Sequence, residues 1–146
     1  MPFEFPPALT GSGPAVQVLD PGGAPNTIIQ RQDPFLIRTQ FSVDQPGASL
    51  LGGQWQLRAY VESIGPGQEV QVGTAALNVA AGVPAGGPPR LEYTVNINVP
   101  GNTLSAEDAN NSGVYKIVVV VTHQNFGGPT VLAGFSEGPV IQVREP

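Results

Sequence analysis

Ser112-Gly113-Val114-Tyr115-Lys116-Ile117-Val118-Val119-Val120-Val121-Thr122-His123 is the stretch that decides the fold. β-Branched and aromatic side chains fill it. Such residues lose rotamer freedom in a helix and stack well on a pleated sheet. Side chains alternate between the two faces of a strand. Tyr115, Ile117, Val119 and Val121 therefore share one face, and Val114, Lys116, Val118 and Val120 share the other. Both faces are apolar over the middle, which marks a central strand. Immediately upstream, Leu104-Ser105-Ala106-Glu107-Asp108 and Asn110-Asn111-Ser112-Gly113 make a polar corner. It leads through a glycine to Tyr115 on the inward phase.

Working outward, period-2 alternation recurs. Phe35, Ile37, Thr39, Phe41 and Val43 alternate with Leu36, Arg38, Gln40 and Ser42. Trp55, Leu57, Ala59 and Val61 alternate with Gln56, Arg58, Tyr60 and Glu62. Leu91, Tyr93, Val95, Ile97 and Val99 alternate with Glu92, Thr94, Asn96 and Asn98. This pattern is that of half-buried antiparallel strands. Shorter strands are expected at Ala15–Leu19, Thr27–Gln30 and Val131–Phe135, with a last one at Val140–Val143. Between Val70-Gln71-Val72 and Leu77-Asn78-Val79 the phase changes near Gly73-Thr74, and Ser136-Glu137-Gly138-Pro139 interrupts the last strand. Both read as β-bulges. Residues 80–90 read as a loop, and Ser105–Asp108 as one helical turn. Turns fall about every ten residues and no helix of ordinary length is visible. The expectation is an all-β, antiparallel sandwich of seven to nine strands.

The polar corner followed by Tyr115 resembles the tyrosine corner of immunoglobulin-like sandwiches, and Trp55 on an earlier strand resembles their core tryptophan. The resemblance implies a hydrogen bond from the Tyr115 hydroxyl to the upstream turn. It also implies that the Trp55 and Tyr115 strands are neighbours in one sheet. Ile117 stands where antibody domains place the second cysteine of their bridge. The chain is thus identified as an immunoglobulin-like β-sandwich over residues 15–146, preceded by an extended Pro-rich N-terminal arm over residues 1–14.

Composition narrows the function. A chain of 146 residues is one domain with room for a core. Gly 19 and Pro 16 fall between apolar runs as turn punctuation. Six basic residues against eleven acidic ones give a net charge of −5, and the basic residues are scattered. Nucleic-acid binding requires clustered Lys and Arg, so that class is set aside. Charged residues are only 12%, against about 25% in ordinary soluble domains. A surface poor in charge suits a chain that lives inside an assembly. With no cysteine, disulfides and thiolate metal sites are excluded. Met1–Pro7 carries neither a basic region nor an apolar run of the kind a signal peptide needs. No stretch approaches the roughly 20 apolar residues of a membrane span. The expectation is a chain not inserted in a membrane, cytoplasmic or part of a particle assembled from the cytoplasm.

Candidate chemistry is sparse. His123 is the only histidine, with no carboxylate beside it in sequence, and reads as a strand-end residue. Glu107, Asp108, Asn110 and Asn111 offer oxygens that could hold Ca²⁺. They lack calcium-loop spacing, and turn duty explains them. No Gly-x-Ser-x-Gly occurs. Gly82–Gly87 lacks the Lys and following helix of a phosphate-binding loop. No catalytic, metal or cofactor residue is therefore assigned, and the chain reads as non-enzymatic.

The sharper signal lies on outward phases. Tyr60, Val118 and Val120 point away from the expected core, with Arg58 and Lys116 beside them. Exposed apolar patches of this kind mark interfaces. Phe3 and Phe5 of the arm could cover the patch, from the same chain or a neighbouring copy. The interface set is thus Phe3, Phe5, Arg58, Tyr60, Lys116, Val118 and Val120. The function expected is a structural or protein–protein interaction module, self-associating as a subunit of a homo-oligomer or larger particle. A small-molecule ligand is not expected. The alternative is a carbohydrate-binding or adhesion module, with Tyr60 or Phe126 as an aromatic platform beside Gln124 and Asn125.

Overall fold

In a computed structural model of the chain, residues 11–44, 52–86, 89–125 and 128–146 are described. They form strands β1 (Gly11–Leu19), β2 (Ile28–Gln30), β3 (Phe35–Asp44), β4 (Gln54–Ser63) and β5 (Glu69–Asn78). A short 3-10 turn at Val79–Ala81 follows, then β6 (Val83–Ala85), β7 (Arg90–Val99), β8 (Val114–Asn125) and β9 (Gly128–Arg144). Two sheets result, ordered β1-β3-β7-β6 and β2-β9-β8-β4-β5. The chain is an all-β sandwich, and the Trp55 strand β4 lies directly beside the Tyr115 strand β8.

The inward phases read from the sequence meet in one core. Ile37, Phe41, Val43, Tyr93, Val95, Ile97 and Val99 of one sheet face Trp55, Leu57, Ala59, Val61, Tyr115, Ile117, Val119 and Val121 of the other, and all are buried. At one end the sheets are joined by rings. Phe41 stacks on Tyr93 at 4.9 Å, and Trp55 meets both edge-on at 5.3 and 5.7 Å. Offset-stacked and edge-to-face contacts suit the ring quadrupoles. The Tyr93 hydroxyl donates to the Val79 carbonyl at 2.7 Å and so ties the 3-10 turn to β7. Burial pushes the Tyr93 phenol up, opposed by a hydrogen bond with Trp55.

At the opposite end Tyr115 is fully buried and its hydroxyl donates to the Ser105 carbonyl at 2.7 Å. The expected corner bond is present. Gln68 braces the same turn: its Oε1 accepts from the Ser105 N–H at 3.0 Å, and its Nε2 donates to the Thr103 carbonyl at 3.4 Å. Burial pushes the Tyr115 phenol up, the Ser105 bond pulls the other way, and the Asp108 charge adds to the rise. Gly113 enters β8 at φ 72°, and a Cβ there would lie 2.7 Å from the Glu107 nitrogen. Only glycine fits both the left-handed backbone and that approach.

Several expectations are corrected. β1 begins at Gly11, because Gly11 and Ser12 already pair with Val43 and Ser42 of β3; an arm ending at residue 14 is too long. Pairing is not wholly antiparallel, since β2 runs parallel to β9 through Ile28↔Gln142 and Gln30↔Arg144. Residues 80–90 hold the end of the 3-10 turn and the strand β6 rather than loop alone. Ser105–Asp108 forms no helical turn; the Asp108 and Asn111 backbones bridge instead. His123 lies near the end of β8, as expected, but inside the core. It is buried under Trp55 at a ring distance of 5.1 Å, with Nε2 2.8 Å from the Gly52 carbonyl. Phe3, Phe5 and Phe126 lie outside the described residues.

Both bulges are present. Tyr60 pairs with Gln71 while Ala59 pairs with Gly73, which leaves Val72 as the extra residue of β5. Lys116 pairs with Val140 while Val118 pairs with Glu137, so the Gly138-Pro139 bulge bends β9 without breaking it.

Candidate protein-binding face

Register assembles the outward side chains of β9, β8, β4 and β5 into rows, because residues directly opposite in antiparallel strands point the same way. One row reads Phe135, Val120, Arg58, Thr74. The next reads Glu137, Val118, Tyr60, Gln71, and the third Val140, Lys116, Glu62, Glu69. The structure thus brings Arg58, Tyr60, Lys116, Val118 and Val120 together on one outer face, as the alternation predicts. Two members were not foreseen, Phe135 at 39% exposure and Val140 at 46%. Ordinary hairpin counting from Asn125↔Gly128 would set Val120 opposite residue 133; the observed partner is Phe135. Two extra residues of β9 opposite His123 cause that slip, and no residue pattern announces it.

The charges on this face are unevenly matched. Lys116 Nζ lies 3.1 Å from Glu137 Oε1 and 3.7 Å from Glu62 Oε2. Glu137, by hydrogen bond and charge, holds the ammonium above its ordinary range, and Glu62 adds a smaller share. Arg58 is exposed and makes no ion pair among the described residues.

Beyond the apolar centre, Gln124, Gln54 and Asn78 form an outward row, and Gln56 Nε2 donates to Gln124 Oε1 at 2.9 Å. Tyr60 is six residues along β4 from the Gln54–Gln124 pair, about 20 Å at strand rise. The Tyr60 ring therefore stands apart from those amides, and Phe126, the other ring named for a sugar platform, lies outside the described residues.

The outer face of the other sheet is mostly polar. Leu36, Arg38, Gln40, Ser42, Glu92, Thr94, Asn96 and Asn98 occupy the outward positions of β3 and β7, and the exposed Val83 of β6 stands opposite Glu92. An open groove of about 620 Å³ lies there, lined by Gln40, Ser42, Asp44, Arg90, Glu92 and Thr94 among others. The polar corner is a turn: Asp108 Oδ1 accepts from the Asn110 N–H at 2.7 Å and from Asn111 Nδ2 at 3.0 Å. Those bonds, the Asn110 backbone first, pull the Asp108 carboxyl down. Among the described residues no group of three or more His, Cys, Asp or Glu could hold a metal ion. Nor is any helix among them long and apolar enough to cross a membrane. No protein-family model matches the chain, and no curated protein matches it in sequence.

Proposed function

We propose that this chain is a non-enzymatic, immunoglobulin-like module that works by protein–protein contact through the outer face of β9, β8, β4 and β5. It serves as a structural subunit of a homo-oligomer or larger particle. The observation that carries this reading is the strip Phe135, Val120, Val118 and Tyr60, an apolar centre on a face whose counterpart across the sandwich is mostly polar. Apolar patches rimmed by polar side chains are the signature of interaction sites. The buried Trp55 and the Tyr115–Ser105 bond support the immunoglobulin-like resemblance. Many unrelated functions share such scaffolds, so the reading rests on the face and not on the scaffold.

Size-exclusion chromatography with light scattering tests it. The full chain is expected to self-associate as concentration rises. A chain lacking residues 1–10, which leaves β1 intact, separates the arm from the face: unchanged association assigns the contact to the face alone. A monomer at all concentrations, with or without the arm, rejects self-assembly.

A further inference from the structure

Arg58 and Glu62 sit two outward rows apart on β4, one on each side of Tyr60, and neither is well matched by its own chain. Arg58 lies between Val120 and Thr74, with no carboxylate in its row. Glu62 lies directly opposite Glu69 on β5, and like charges so placed repel. One ammonium, that of Lys116, serves both Glu62 and Glu137, while Glu69 makes no ion pair among the described residues. The face therefore holds an unmatched cation in its apolar row and surplus carboxylate in the row beyond.

We propose that the occupant of this face is a second copy of the chain, packed about a two-fold axis that runs across the strands through the Tyr60–Val118 row. This rests on the reading of the face as an interface. Turning a copy over about that axis keeps β4 on β4 and β8 on β8 and reverses their direction. The Phe135–Val120–Arg58 row then meets the Val140–Lys116–Glu62 row of the other copy. Arg58 reaches the second copy's Glu62 in both halves of the dimer, and Phe135 covers its Val140. Tyr60 and Val118 meet their own counterparts on the axis, as self-complementary packing requires; Glu137 of the same row meets its own counterpart too, each carboxylate paired with Lys116 of its own chain. A two-fold axis along the strands is disfavoured. It lays each row on itself, sets the two Arg58 side chains next to each other without a carboxylate in their row, and gathers Glu62 and Glu69 of both copies at one end beside Lys116 of each. Four strands of ten residues span about 19 by 33 Å, or roughly 600 Å² in projection. That is close to the about 800 Å² per partner of a standard interface once side-chain relief is included. Complementary rim charges of this kind fix register and suppress wrong pairings.

Charge exchange tests the geometry. Sedimentation equilibrium is run on the full chain, on Arg58→Glu, on Glu62→Arg and on the double variant, with circular dichroism confirming the fold of each. Both positions are exposed, so folding is expected to survive. Each single reversal is expected to weaken self-association about tenfold or more, and the double variant to restore it. Because the chain has no cysteine, Val118→Cys gives a clean second reading: oxidation is expected to yield a disulfide-linked dimer. Single reversals without effect, or a double variant that fails to recover, would overturn the axis. Val118→Lys separates the two levels. If it abolishes association while charge exchange does not rescue, the face stands and the axis falls. A native chain that never associates removes both.

Discussion

On the β1-β3-β7-β6 sheet the outward positions of β3 and β7 hold Leu36, Arg38, Gln40, Ser42, Glu92, Thr94, Asn96 and Asn98; on the other sheet Phe135, Val120, Val118 and Tyr60 hold the centre of the outward face, with Arg58, Lys116, Glu62 and Glu137 around them. The inner faces of the two sheets are alike, apolar but for Thr39 and His123, and meet in one core. An antiparallel sheet with one face in water alternates apolar and polar residues. β7 follows that rule and β3 does so except at Leu36, whereas β8 carries valines on both sides, Val119 and Val121 in the core and Val118 and Val120 on the outer face. The proposed interaction face rests on that difference.

Four changes probe that contrast, the largest first. Trp55→Ala removes the ring that joins the sheets and is expected to cost about 3–5 kcal/mol, read from urea unfolding. One cooperative transition is expected to remain. If the two sheets instead melt separately, they do not share a core and the comparison of their outer faces loses its basis. Tyr115→Phe removes the bond to Ser105 on the apolar-faced sheet and is expected to cost about 1–2 kcal/mol. An unchanged melting temperature would show that the corner bond contributes nothing.

On the polar-faced sheet, Thr39 points into the core, and its hydroxyl has no hydrogen-bond partner among the described residues. Thr39→Val removes a buried unsatisfied group and is expected to raise stability by up to about 1 kcal/mol. A loss of stability would mean that the hydroxyl is satisfied. The smallest effect is a pH dependence that samples one tyrosine from each sheet. Burial raises both Tyr93 and Tyr115 above the ordinary value of 10.0. Each folded-state pKa therefore lies above its unfolded one. The corresponding stability is complete below the unfolded value and is lost as pH rises through the folded ones. Tyrosinate absorbance across an alkaline titration should show two phenols ionising late, together with unfolding. Three phenols ionising alike at their ordinary pH would contradict the burial of both rings.

Much of this was legible in the sequence because strand period and burial speak through single residues. The inward sets of β3, β4, β7 and β8 and the outward Tyr60, Val118 and Val120 follow from alternation, and the Tyr115 bond to its upstream turn follows from the resemblance to a tyrosine corner. What stayed hidden depends on long-range register or on backbone approach. Phe135 stands opposite Val120 rather than Val118 only through two unannounced extra residues in β9. Gln68 reaches the Ser105 turn from a separate loop. His123 is buried because Gly52, far away in sequence, comes within 2.8 Å of its ring. The short β6 and the parallel pairing of β2 involve three residues each, too few to show a period.

The most direct test is sedimentation equilibrium of the native chain beside Val118→Lys and Thr94→Lys, one outward substitution on each sheet. Self-association by the native chain and by Thr94→Lys, but not by Val118→Lys, is the expected result. A native chain that keeps its single-chain mass of 15.1 kDa at every concentration, or two variants that behave alike, would contradict a binding role for the apolar face.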